Sequence, residues 1–171
     1  GANLERALAV ANAFIQRDID HANAPTQMKL QKLMYFAHGW NLALYDEPLV
    51  DQSFHAWEYG SVIPSIYHEF KAFGTIGIDK FGSELVSQPG VLFSWKTPMI
   101  SSDNTKANAL LDRIWVVYGR YSGTQLSRIT HLEGSPWKVM RDKNIGVRDV
   151  IIPDDLIRDY FKGQIRNDNR A

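Results

Sequence analysis

The chain has no cysteine. Disulfides, thiolate nucleophiles and thiolate metal ligands are therefore excluded, and the composition fits a reducing cytosol. It has no excess of charge of either sign: 19 Lys and Arg balance 19 Asp and Glu, giving a net charge of zero with His neutral. Nucleic-acid binding draws on released counterions and a basic surface, so it is disfavoured unless the charges are segregated. No apolar run approaches the roughly 20 residues of a membrane span. The first residues lack the charged-then-apolar form of a signal peptide, and Gly1 reads as a tag remnant. The expected location is the cytoplasm, with no membrane partner. Phosphate fingerprints are missing too. Gly74, Gly77 and Gly82 are wrongly spaced, and no Lys-Ser or Lys-Thr follows them. There is no Gly-x-Ser-x-Gly elbow for a nucleophile.

What is present fits one domain over residues 1–171, since a chain of this size buries about 70% of its unfolded surface. The stretch Met28 to Tyr45 organises it. Leu30, Leu33, Met34, Ala37, Asn41 and Leu44 recur at helical spacing, and Phe36, Trp40 and Ala43 widen the apolar surface beyond one stripe. Such a helix is normally covered on most sides, so it is expected at the centre. Thr26 is a suitable N-cap and Asp46-Glu47-Pro48 a closing turn. Lys29, Gln31, Lys32 and Tyr35 form a polar fringe, which is usually a solvated face.

Around it, Leu4, Leu8, Ala11, Ile15 and Ile19 mark a first amphipathic helix that ends before Pro25. Phe54 to Tyr59 alternates as a short strand, broken by Gly60 and Pro64. Ser65 to Phe73 forms a short helix with Gly74 as its C-cap. Val91 to Trp95 is a second strand or an apolar loop. Asp103 caps a helix carrying Ala107, Leu110, Leu111, Ile114, Val117 and Tyr118. Ser122 to Gln125 is a capping box that opens another helix, and Ser135-Pro136 opens one more. Pro153, Asp154 and Asp155 start a last helix, because acidic side chains suit the positive end of its dipole. Gly163 ends it, leaving residues 164–171 as a mobile polar tail. The fold class is mainly α, a compact helical domain around one apolar helix with two or three short strands.

Catalytic patterns are weak. His68-Glu69 is like the start of a zinc-protease helix, but Ala72 stands where the second His is needed. His55 and Glu58 share a metal only on a helix. Ser135 near His131 reads more simply as a helix cap. The alternative kept open is a hydrolase-like enzyme in which His38, His55, His68 or His131 converge with carboxylates. Otherwise no catalytic residue, cofactor or metal set is assigned, and the expectation is a binding domain, not an enzyme. Trp40, Trp57, Tyr59, Tyr67 and Trp137 are candidate anchors, although such residues are usually core.

Lys29-Leu30-Gln31-Lys32-Leu33-Met34-Tyr35-Phe36-Ala37-His38-Gly39-Trp40 resembles the opening motif of the Panacea domain, also called the SocA-like antitoxin domain. Glu47-Pro48-Leu49, Ala56 to Pro64 and Ile66 to Phe70 resemble its second motif. Thr130-His131 with Ser135-Pro136-Trp137 resembles its third. The resemblance spans about Leu4 to Phe161. Some members have been called phage-associated or GepA-like. It implies an antitoxin that binds a cognate protein toxin directly, in one relative as an adaptor to a cytosolic AAA+ protease. On that basis a groove beside the central helix and the Trp57 to Pro64 segment is expected to cover the toxin's working surface. Lys32, Tyr35, Trp57, Tyr59 and His131 are its candidate partner-binding residues. The competing reading is that they brace the core, Trp57 and Tyr59 by packing and His131 by hydrogen bonding. Loops such as Thr75 to Gln88 are then free to choose the partner.

Overall fold

A computed structural model describes residues 4–170, with side chains other than those of Val91 and residues 166–170. The expectations for Gly1 and Ala171 lie outside the described residues. The fold is mainly α. In chain order the elements are α1 (Ala7–Asp20), α2 (Gln27–Tyr45), β1 (Phe54–Trp57), β2 (Gly60–Val62) and α3 (Pro64–Phe70), extended by a 3-10 turn Lys71–Phe73. There follow β3 (Glu84–Gln88), β4 (Val91–Lys96), α4 (Thr105–Tyr118), α5 (Gly123–Thr130), α6 (Pro136–Lys143), β5 (Ile151–Ile152) and α7 (Asp154–Arg170). Among the described residues no helix is long and apolar enough to cross a membrane.

α2 sits at the centre, as its breadth of apolar surface requires. It starts at Thr26, whose hydroxyl accepts from the Lys29 N–H at 3.3 Å, and ends at Asp46 in the left-handed region. Every residue from Leu30 to Gly39 is buried. α1, α3, α4, α5, α7 and β2 all pack on it. Phe36 stacks on Tyr118 of α4, with centroids 4.2 Å apart. Phe161 of α7 lies across Gly39, where a Cβ would come within 2.7 Å of three ring carbons. Glycine there is a packing choice: it brings α7 close enough to bury Phe161, a burial that contributes roughly 1.5–3 kcal/mol.

Two sheets complete the fold. β1 is central in an antiparallel sheet of order β2-β1-β5, with His55 opposite Val62 and Phe54 opposite Ile152. β5 therefore ties the C-terminal quarter to the first half of the chain. β3 and β4 form a separate hairpin, turned by Pro89 and Gly90. Leu92, Phe93 and Trp95 of this hairpin are well exposed.

Several expectations are corrected. Phe54 to Tyr59 is not one strand: β1 ends at Trp57, Glu58 and Tyr59 turn, and Gly60 opens β2 instead of breaking a strand. Strands number five among the described residues, because short pairings such as β5 carry almost no periodic signal. Asn104, not Asp103, caps α4, through its Oδ1 and the Ala107 N–H. Leu44 lies on the outer side of the last turn of α2 and is exposed. α7 does not stop at Gly163 but continues to Arg170. Glycine costs a helix interior about 1 kcal/mol, too little to end a helix on its own.

The two glycines give opposite expectations for the same substitution. A Cβ at Gly163 meets nothing within 4 Å. Gly163→Ala should raise stability by about 0.5–1 kcal/mol through helix propensity. Gly39→Ala should lower it by about 1–3 kcal/mol, because the Phe161 ring must move within a packed core. Urea denaturation of both variants against the parent checks the pair.

Candidate functional site

One flank of α2 is left partly uncovered where β1, β2, α3 and the start of α5 meet it. The result is a groove of about 450 Å³. Met28, Val62 and the start of α5 (Gly123, Thr124) supply much of its lining, and Trp57, Tyr59 and Tyr67 form an aromatic wall. The Trp57 and Tyr67 rings meet edge to face at 5.3 Å. The same three aromatics also line a second, larger and more open groove of about 700 Å³, with Arg141 and Asp149. They thus form a ridge between two depressions.

Lys32 lies at the floor of the first groove. It is only 1% exposed, although lysine is almost never fully buried without a partner. Its Nζ donates to the Ser61 carbonyl at 3.1 Å, the one acceptor it has among the described residues. Its neighbour Gln31 bridges the backbone of Ile63, donating to its carbonyl at 3.1 Å and accepting from its N–H at 2.9 Å. These bonds dock β2 and the start of α3 against α2. Gly60 has φ +124°, and a Cβ there would fall 2.7 Å from Lys32 Nζ and 3.3 Å from His131 Nε2. Only glycine lets the chain pass so close to the amine at that dihedral.

Burial drives the Lys32 amine down to about 7, because the charged form is deprived of water and no carboxylate lines the groove among the described residues. His131 is also lowered, first by burial and then by the Lys32 cation. Its ring stacks on Trp137 at 3.9 Å, and its buried Nε2 has no hydrogen-bond partner among the described residues. Trp137 Nε1 donates to the Trp57 carbonyl at 2.6 Å, and Ser127 Oγ to the Tyr59 carbonyl at 3.0 Å. α5 and α6 thereby fix the aromatic turn from below. Trp57 Nε1 and the His55 ring both bond Asp149, at 3.1 and 2.5 Å. Those bonds, that of His55 first, hold the Asp149 carboxyl below its ordinary range.

The candidate residues therefore divide. Lys32, Trp57 and Tyr59 line one groove, and His131 stands behind it beside Lys32 and Gly60. Tyr35 does not line it: the side chain is core, edge-on to Phe54 and Phe161, and burial raises its hydroxyl pKa. Of the polar fringe of α2, Gln31, Lys32 and Tyr35 are buried, and Lys29 is half-buried. The reason is that β2 and α5 close over that face. His131 braces by stacking, not by a hydrogen bond. Tyr67 and the start of α5 are groove residues that the α2-centred reading left out. Tyr67 was visible as an aromatic, whereas Gly123 and Thr124 carried no local signal.

The histidines stand in separate surroundings. His38 Nε2 bonds Asp154 at 2.9 Å, and its Nδ1 accepts from the N–H groups of Leu49 and Val50, so the ring proton sits on Nε2. His55 pairs with Asp149, His68 is exposed, and His131 stacks on Trp137. Among the described residues no group of three His, Asp or Glu side chains could hold a metal ion. What the groove offers chemically is an amine poised between charge states under an aromatic wall.

The amine predicts a pH dependence of stability. The unfolded chain holds the Lys32 proton up to about pH 10.5, whereas the fold releases it near pH 7. Between those values the unfolded state binds more protons, so stability rises with pH across this window. Relative to Lys32→Met, the parent should gain on the order of a few kcal/mol between pH 7 and 9.5. Urea denaturation of both proteins at the two pH values checks the sign and the size.

Comparison with known proteins is consistent with this picture. The model of the family described as antitoxin SocA-like, Panacea domain, matches residues 30–138, well over half of the chain. That stretch contains Lys32, Trp57, Tyr59 and His131. The antitoxin SocA of Caulobacter vibrioides (strain NA1000 / CB15N) is 30% identical over 161 residues, covering 92% of this chain and 83% of that protein. No solved structure matches the chain. A family match over residues 30–138 and 30% identity over nearly the whole length lead to one conclusion: the chain belongs to the SocA-like antitoxin family and carries its Panacea domain.

Proposed function

We propose that the protein is an antitoxin that silences a cognate toxin by binding it directly through the α2 groove. The observation that carries this reading is the groove itself: an aromatic wall beside a helix whose middle is buried. Binding energy concentrates at Trp and Tyr anchors held in place beforehand, because little entropy is then lost on association. Tyr59 is 69% exposed at the tip of the β1–β2 turn, while its carbonyl is held by Ser127. It projects from a fixed backbone, as an anchor must. The exposed β3–β4 hairpin, with Leu92, Phe93 and Trp95, is a second surface suited to choosing among partners. It is pinned to α1 by Asn12, which bonds Gly82 and Pro98 on either side of it.

Binding by occlusion alone keeps the toxin's half-life unchanged, whereas delivery to an AAA+ protease shortens it. Both modes begin with the same complex.

The test is co-expression with the product of the adjacent gene. The pair is expected to co-purify, and the antitoxin to restore growth that the neighbour alone suppresses. Tyr59→Ala should weaken the complex at least about tenfold, the scale of an anchor residue, with an unchanged melting temperature. A neighbour that neither binds nor slows growth removes the reading. The half-life of the bound toxin, followed after translation is stopped, separates occlusion from delivery.

A further inference from the structure

The groove floor carries a feature that partner binding in general does not require. A cation is most easily buried when a carboxylate comes with it, and an unpaired buried charge is strongly destabilising. Lys32 is buried with three N–H donors and one acceptor, the Ser61 carbonyl. Among the described residues, polar groups stand beside it or line the groove with it, and none of these is an acid. On its own helix stands Tyr35, buried, while Lys29 turns away to the Gly119 carbonyl. From α5 comes His131, with its buried Nε2 unpartnered among the described residues. The β1–β2 turn and α3 contribute Tyr59 and Tyr67 to the lining of the same groove. Glu58 of that turn lines the second groove instead. Two nitrogens, Lys32 Nζ and His131 Nε2, thus flank Gly60 with hydrogen-bonding capacity unused.

We propose that this floor is a carboxylate-recognition site, into which the partner inserts an Asp or Glu side chain flanked by apolar residues. The proposal rests on the antitoxin reading of the groove and names the chemistry of what enters it. The acid pairs with the Lys32 ammonium, and the apolar flanks cover Met28, Val62 and the aromatic wall. Charge complementarity argues for this occupant: the groove holds an uncompensated base and lacks acids. The same arrangement explains specificity, because an apolar segment without the acid leaves the lysine unpaired in a site that has lost its water. It also gives binding a proton signature. The free site loses its proton near pH 7, and a carboxylate holds that proton on, so association takes a proton up above pH 7.

Two capped peptides serve as probes, acetyl-Ala-Leu-Leu-Glu-Leu-Ala-amide and its Gln counterpart, which differ by one charge at equal size. Calorimetric titration of the intact protein at pH 7 is expected to show the Glu peptide at least about tenfold tighter than the Gln peptide. That advantage should fall by up to about tenfold per pH unit above pH 7. In two buffers of different ionisation enthalpy, the Glu peptide alone should show proton uptake. With Lys32→Met, both the preference and the uptake should vanish while thermal unfolding remains cooperative. Equal binding of the two peptides overturns the proposal, as does binding of neither, or a Glu preference that survives in Lys32→Met. None of these readouts uses the toxin. A failed co-purification therefore counts against the antitoxin reading, and a failed peptide preference counts against the carboxylate site.

Discussion

Everything in this fold answers to one constraint. α2 is buried from Leu30 to Gly39, yet it carries polar side chains there that must find partners without water. Gln31 takes the backbone of Ile63, Lys32 the Ser61 carbonyl, His38 the Asp154 carboxylate with two backbone N–H groups, and Asn41 the Glu47 carbonyl. A buried polar group left without a partner costs about 1–3 kcal/mol, so each bond selects one arrangement of the segment it holds. The apolar residues of α2 favour burial against any greasy surface. The polar ones decide which segment lies where. Between them they place the β2 strand, the loop around Leu49, and the start of α7.

The groove follows from this placement. Gln31 and Lys32 hold β2 against α2, and Gly60 lets the chain pass the amine. The turn at Glu58 and Tyr59 must then project outward, since α5 and α6 grip its backbone from beneath. Rigidity at the base and exposure at the tip have the same origin. The cost is concentrated in Lys32, whose burial is only partly compensated by a neutral carbonyl. Strain of this kind tends to sit at functional sites, where a ligand supplies what the fold leaves out.

The exposed hairpin contrasts with the groove. Among the described residues β3 and β4 pair only with each other, and Leu85, Leu92, Phe93 and Trp95 are exposed. Asn12 fixes the base of the hairpin to α1, while Leu92, Phe93 and Trp95 stay exposed on it. The scaffold is held by buried bonds around α2, and the hairpin is held at its base alone.

Read alone, the sequence determined the central helix, the caps at Thr26, Ser122 and Ser135, the mainly α class and the family. These rest on local periodicity, on cap chemistry and on motifs with fixed order. It also placed Trp57 and Tyr59 near the candidate surface, because both lie in one short motif. Tertiary structure alone decided that Lys32 is buried rather than solvated, that Tyr35 is core, and that His131 stands beside Lys32. Helical spacing tells which side chains share a face, but not which faces are covered. Covering depends on α5 and β2, and α5 follows α2 only after more than seventy residues. The same separation hid the contribution of Gly123 and Thr124, and the pairing of β1 with β5. The charge state of one amine therefore hangs on contacts that no local stretch of sequence contains.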